Sequence, residues 1–203
     1  MITASYASAT TQKQPLSRLG RGAGMLTMLL MTTACTTSTD QQSVMDAVDH
    51  RDVVVDLVID TTEHLDVDGW GANHGAAKPE SCTLDNGDEG AAYKFSLWAD
   101  RGTAHEADAQ RIVEYWESLG MDTRVVDHGG FPVVYATGGP VQRASFTPDA
   151  AEESYRVGAI SHCAPGDAIE LRRAFDERRK QGERFPGDEY VPEENIDDVY
   201  KNE

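Results

Sequence analysis

The stretch TAHEADAQRIVEYWESLGM, residues 103–121, sets the frame for the rest of the chain. Thr103 and Glu106 have capping-box spacing, and Ala109, Ile112, Val113, Trp116 and Leu119 recur at intervals of three and four. Leu119-Gly120-Met121 adds the glycine stop and trailing hydrophobe of a Schellman ending. Together they predict an amphipathic helix with Trp116 facing a core, in register with Ile112 and Leu119.

On the N-terminal side of this helix, Tyr93, Phe95 and Leu97 alternate with Lys94, Ser96 and Trp98, the period-two pattern of a strand. On the C-terminal side lie four β-prone runs, residues 123–127, 132–137, 141–147 and 154–162. The turns between them are His128-Gly129-Gly130, Gly138-Gly139-Pro140 and Pro148-Asp149-Ala150. Connections this short favour antiparallel neighbours, so a meander is predicted, with the earlier strand added through the helical crossover.

Further upstream, Val44, Ala47, Val48, Val55, Val58, Thr62 and Leu65 recur at helical spacing among aspartates, predicting a first helix that starts near Ser43. The run Val53-Val54-Val55 is the one local argument for a strand there. Asp68-Gly69-Trp70-Gly71 and the following Gly, Asn, Lys and Pro residues read as a loop ahead of Cys82, with Trp70 folded back onto the core. A sheet must bury one face, and the helices are the available cover. The expected fold class is α+β: a two-layer sandwich of about five mainly antiparallel strands under two helices.

Near the C-terminus, Asp167 and Glu170 repeat the capping-box spacing. Ile169, Leu171, Ala174 and Phe175 mark a short helix rich in Arg and Lys that ends at Gly182. From Glu183 onward there are eight acids, two bases and two prolines, which reads as a poorly ordered tail.

The segment 1–34 has another character. Lys13, Arg18 and Arg21 precede an uncharged run from Gly22 to Ala34, and no acid occurs before Asp40. At 1.5 Å per residue that run is too short for a hydrocarbon core of about 30 Å, and it fits the apolar region of an export signal. Met31-Thr32-Thr33-Ala34-Cys35 resembles a lipobox, in which the cysteine takes a diacylglyceryl group before cleavage. A plain signal cut near Ala34, leaving Cys35 a free thiol, is the alternative. The expected organisation is a signal over 1–34, a tether over 35–42, an α+β domain over 43–167, and a basic helix with acidic tail over 168–203. The expected location is the outer face of the cytoplasmic membrane.

Three cysteines are an odd number for an exported chain, and a lipid on Cys35 accounts for the oddness. Cys82 and Cys163 then form a disulfide in an oxidising compartment, the alternative being two buried thiols. Cleavage before Cys35 leaves the segment 35–203, enough for one core, and the loss of Lys13, Arg18 and Arg21 takes the formal charge from -17 to -20. Such acidity repels nucleic acid, anionic lipid and wall polymers.

The lipobox cysteine, acidic first helix, Gly69-Trp70 ahead of Cys82, a helix with Trp116 and Gly120, the meander and Cys163-Ala164-Pro165-Gly166 form a set of landmarks. In these the chain resembles a group of small actinobacterial cell-envelope lipoproteins, LppA-like in style, over roughly residues 43–167. The resemblance implies a fold and an address. It implies no reaction.

Motifs for chemistry are sparse. No phosphate loop, HExxH, CxxC or GxSxG occurs, and the glycine pairs fit hairpin turns. His64, Asp66 and Asp68, or Asp85 and Asp88, could ligate a cation, but neither group has EF-hand spacing and solvated turns explain both. His105, His128 and His162 read as surface histidines. No catalytic, cofactor-binding or metal residue is assigned, and no cofactor is expected. The reading is a lipid-anchored, non-enzymatic binding or assembly module, whose partners are the membrane through Cys35 and an envelope protein, with no nucleic acid. The alternatives are the solute-capturing lipoprotein of a transporter, for whose usual two lobes the segment 35–203 is short, and an envelope hydrolase.

Overall fold

The computed structural model describes residues 39–151 and 153–192, with side chains from Val48 onward. Cys35 and the signal, and the acidic stretch 193–203, lie outside the described residues. The elements are α1 (Thr39–Glu63), β1 (Lys78–Thr83), β2 (Glu89–Asp100), α2 (His105–Ser118), β3 (Asp122–His128), β4 (Phe131–Thr137), β5 (Arg143–Thr147), β6 (Ser154–Ile160), β7 (Ala164–Pro165) and α3 (Ala168–Lys180). A single 3-10 turn, Asp188–Tyr190, follows among the described residues.

The sheet order is β1-β2-β6-β5-β4-β3, every pairing antiparallel, with the short β7 also on β2. It is the meander with β2 added beside its last strand, in an α+β sandwich. The strand count exceeds the expected five because Ala164-Pro165 adds the short β7 on β2, and because Lys78–Thr83, which begins inside the expected loop, pairs with the same strand from Lys78↔Lys94 to Thr83↔Glu89. That segment lacks β-branched alternation, so its extended form comes from pairing with a neighbour, which local propensity does not report.

α1 packs on β2, β6 and β7, and α2 on β3 and β4, so both cover one face. Val54, Val55, Leu57, Val58, Thr61 and Leu65 of the α1 segment are buried, and helix wins over strand at the valine run because this stripe meets the sheet. α1 begins at Thr39, inside the stretch expected to be tether.

The core gathers Trp116 and Ile112 with Tyr93, Phe95, Leu97, Phe146, Tyr155 and Val157, and Trp116 has no exposed surface. Met121 N–H bonds Trp116 O at 3.1 Å and Gly120 N–H bonds Glu117 O at 2.9 Å, the Schellman pairing, with Met121 buried beside Trp116. Leu119, expected on the apolar face, is instead 37% exposed as the cap itself. The capping box also fails: Ala104 is the N-cap and makes no side-chain cap, leaving Thr103 outside the helix. At α3 the expected cap forms, Asp167 Oδ1 accepting from Ile169 N at 2.8 Å and Glu170 N at 3.1 Å.

The segment after α3 is part of the core up to Val191. Phe185 stacks on Phe175 with ring centroids 4.5 Å apart, and both are buried with Val191. Gly187, at φ 86°, crosses so close to Phe95 that a Cβ there would lie 2.8 Å from its ring. Tyr190 O accepts from Ala72 N at 2.7 Å, and Arg179 pairs with Asp188. Up to Val191 this segment is thus no poorly ordered tail: the apolar residues between the acids, more than the charge, decide its packing.

Candidate functional site

The face of the sheet away from the helices carries the feature of interest. Strand alternation puts Phe95, Leu97, Val134, Phe146 and Val157 into the core, so their neighbours along each strand point outward. Registry then aligns the outward residues in rows. One row runs Arg124, Tyr135, Ser145, Gly158 and Ser96; the next runs Asp122, Thr137, Arg143, Ile160 and Lys94; Arg156 faces Trp98 in a third.

The result is a concavity of about 440 Å³ lined by four cations, Lys94, Arg124, Arg143 and Arg156. Among the described residues no Asp, Glu, His or Cys lines it, Asp122 falling outside at the β3 end of its row, and none of the four cations forms an ion pair. Its floor is Gly158, buried between Ser145 and Ser96. A Cβ at Gly158 would sit 3.2 Å from Ser96 Cβ and 3.4 Å from Arg156 Nη2, tighter than ordinary contact, so the missing side chain is what lets Ser96 and the Arg156 guanidinium lie close over the strand. Arg124 stacks 4.7 Å from the Tyr135 ring centre and Arg156 5.6 Å from that of Trp98. A stacked guanidinium is held by its face while the N–H groups on its edge stay free to donate. Trp98 Nε1 is itself buried with no partner among the described residues.

A second concavity of about 420 Å³ is lined by Asp100, Arg101, Gly102, Thr103, His105 and Glu153. Its cation is already neutralised, since Arg101 bonds Asp149 at 2.5 Å and Glu153 at 3.0 Å. Beneath it, Tyr155 Oη donates to the buried Asp108 Oδ2 at 2.5 Å and lies 3.1 Å from His105 Nδ1, while Arg111 pairs with the same carboxylate. Burial first, then the bond to Asp108, pushes the Tyr155 phenol well above its ordinary range. The group ties α2 to β6.

The residues weighed for chemistry scatter. Cys82 and Cys163 are bonded to each other, with Cα atoms 6.0 Å apart and a sequence separation of 81. His64 stacks on Tyr115 at 4.1 Å, and His162 Nε2 lies 3.2 Å from Gly139 O. No group of three or more His, Cys, Asp or Glu among the described residues could hold a metal ion, and no described helix is long and apolar enough to cross a membrane.

Net charge does not reveal the basic face, because it averages over the whole surface. The legible signal is one cation at an outward position in each of four strands, Lys94, Arg124, Arg143 and Arg156, once the strand phases are known.

No family model matches the chain, and no curated protein matches it. Among solved structures it is similar to the crystal structure of a DUF4853 family protein from Actinomyces odontolyticus, at 14% identity and a TM-score of 0.38, covering 65% of this chain and 71% of that one.

Proposed function

We propose that this chain is a lipid-anchored cell-envelope protein whose α+β domain is a non-enzymatic binding module for an anionic partner, held on the open face of the sheet. The observation that carries the reading is the cradle around Gly158, where four cations converge without a carboxylate among the described residues, in a chain of formal charge -17. Like charges crowded in a concave surface repel one another, and an anion relieves that repulsion. The acidity of the remaining surface rejects anions elsewhere and so focuses them on this face. Among the described residues the cradle is lined by hydroxyls and by no carboxylate or imidazole to activate them, which supports capture over chemistry.

Anchoring rests on the Met31–Cys35 stretch and is tested apart from binding. Cys35→Ala is expected to move the chain from the membrane to the soluble exported fraction, because two acyl chains anchor stably; equal partition of variant and parent refutes it. For the binding site, amide resonances of the full chain carrying Cys35→Ala are followed during titration with sulfate, citrate and pyrophosphate. Shifts centred on Gly158, Ser145 and Ser96 are expected with at least one of these anions. Shifts confined to other surfaces, or none with any of them, overturn the reading.

A further inference from the structure

We infer that the cradle around Gly158 takes a small molecule bearing two or more phosphate groups, an inference that rests on the anion-binding reading and narrows it to one ligand class. Charge density favours phosphate. Four cations line a space of about 440 Å³, the size of an ordinary small-ligand site. Matching them takes about four negative charges in that volume. A phosphate monoester carries about 1.5 to 2 at neutral pH, so two phosphates suffice where four carboxylates would be needed.

Donor geometry favours it as well. Three of the four cations are arginines, whose planar forks match the edges of a phosphate in pairs of N–H···O bonds. Arg143 and Lys94 flank Ile160 in one row, two strand spacings or about 10 Å apart. Arg156 leans over Gly158. Arg124 stands at the far end of the neighbouring row, on β3, and that row carries the Ser145 and Ser96 side chains. Two anionic groups can therefore be bound at once, one between Arg143, Lys94 and Arg156 over the glycine floor, the other toward Tyr135 and Arg124.

The cradle is closed to strand addition. It lies in mid-sheet, where β5 and β6 are paired on both sides, so a peptide cannot add as a strand there. A small ligand needs only the floor and the side chains.

The test uses the full chain carrying Cys35→Ala and isothermal titration with pyrophosphate and tripolyphosphate. Citrate serves as a carboxylate control, with phosphatidylglycerol vesicles and a peptide of residues 193–203 as other anionic occupants. Tripolyphosphate is expected to bind at least tenfold more tightly than citrate, more weakly as salt rises. Arg143→Gln, Arg156→Gln and Lys94→Gln are each expected to weaken it at least tenfold with unchanged melting temperature. If citrate, the peptide or the vesicles bind as tightly as tripolyphosphate with the same dependence on these residues, the narrowing to phosphate fails and the anion site stands. If no anion responds to the three substitutions, both fall.

Discussion

Trp116 Nε1 donates a 3.0 Å hydrogen bond to Thr61 Oγ1, which in turn donates to Leu57 O at 2.6 Å, joining the two helices that cover the sheet. Both residues have no exposed surface, so the bond satisfies the one polar atom of a side chain otherwise packed in apolar surroundings. Trp116→Ala is expected to cost about 3 to 5 kcal/mol from the cavity. Thr61→Val keeps the volume but leaves the indole N–H unpaired, at about 1 to 3 kcal/mol. Denaturant melts check both, and an unchanged midpoint for Trp116→Ala would remove it from the core.

Tyr155 gives a pH dependence with a definite sign. Its phenol titrates above the ordinary value of 10.0 because burial and the bond to Asp108 favour the protonated form. The folded state thus holds this proton more tightly than the unfolded chain, and the stability it contributes is full below about pH 10 and declines as pH rises beyond it. Tyr155→Phe is expected to lower stability by about 1 to 3 kcal/mol at pH 7, since Asp108 loses a donor, and to flatten the alkaline fall. Chemical melts from neutral to alkaline pH read both effects; an identical alkaline slope in the variant would contradict the assignment.

The Cys82–Cys163 bond clips β1 to the residues leading into β7, across a sequence separation of 81. Closing so long a loop restricts the unfolded chain, and replacing both cysteines by serine is expected to cost about 2 to 5 kcal/mol. Melts with and without reductant check this: the parent should shift to the double-serine midpoint on reduction, and a parent indifferent to reductant would show the clip to contribute nothing.

Phe185 and Val191 make the segment beyond α3 a structural one. Phe185→Ala is expected to cost about 3 to 5 kcal/mol, as for any large buried aromatic. If limited proteolysis cut after Arg184 in the native protein without lowering its melting temperature, the segment would not belong to the core.

Much of this architecture was determined by local sequence. The 3.6-residue stripe of α2, the glycine stop at Gly120, the Asp167 cap and the period-two strands around glycine turns are each encoded within short windows, because backbone sterics and amphipathic burial act at that range. Tertiary structure decided the rest. β1 is a strand because β2 offers it hydrogen bonds, and Thr103 fails as a cap because the helix starts only at His105, with Asp108 turned to Tyr155. Phe185 is buried because Phe175 and Phe95 leave a surface to cover. The basic cradle is the extreme case: its cations are scattered along the chain from Lys94 to Arg156, on four different strands, and only strand registry makes them neighbours. Net charge is a sum over the chain, whereas the field an anion meets depends on distance, and distance is set by the fold.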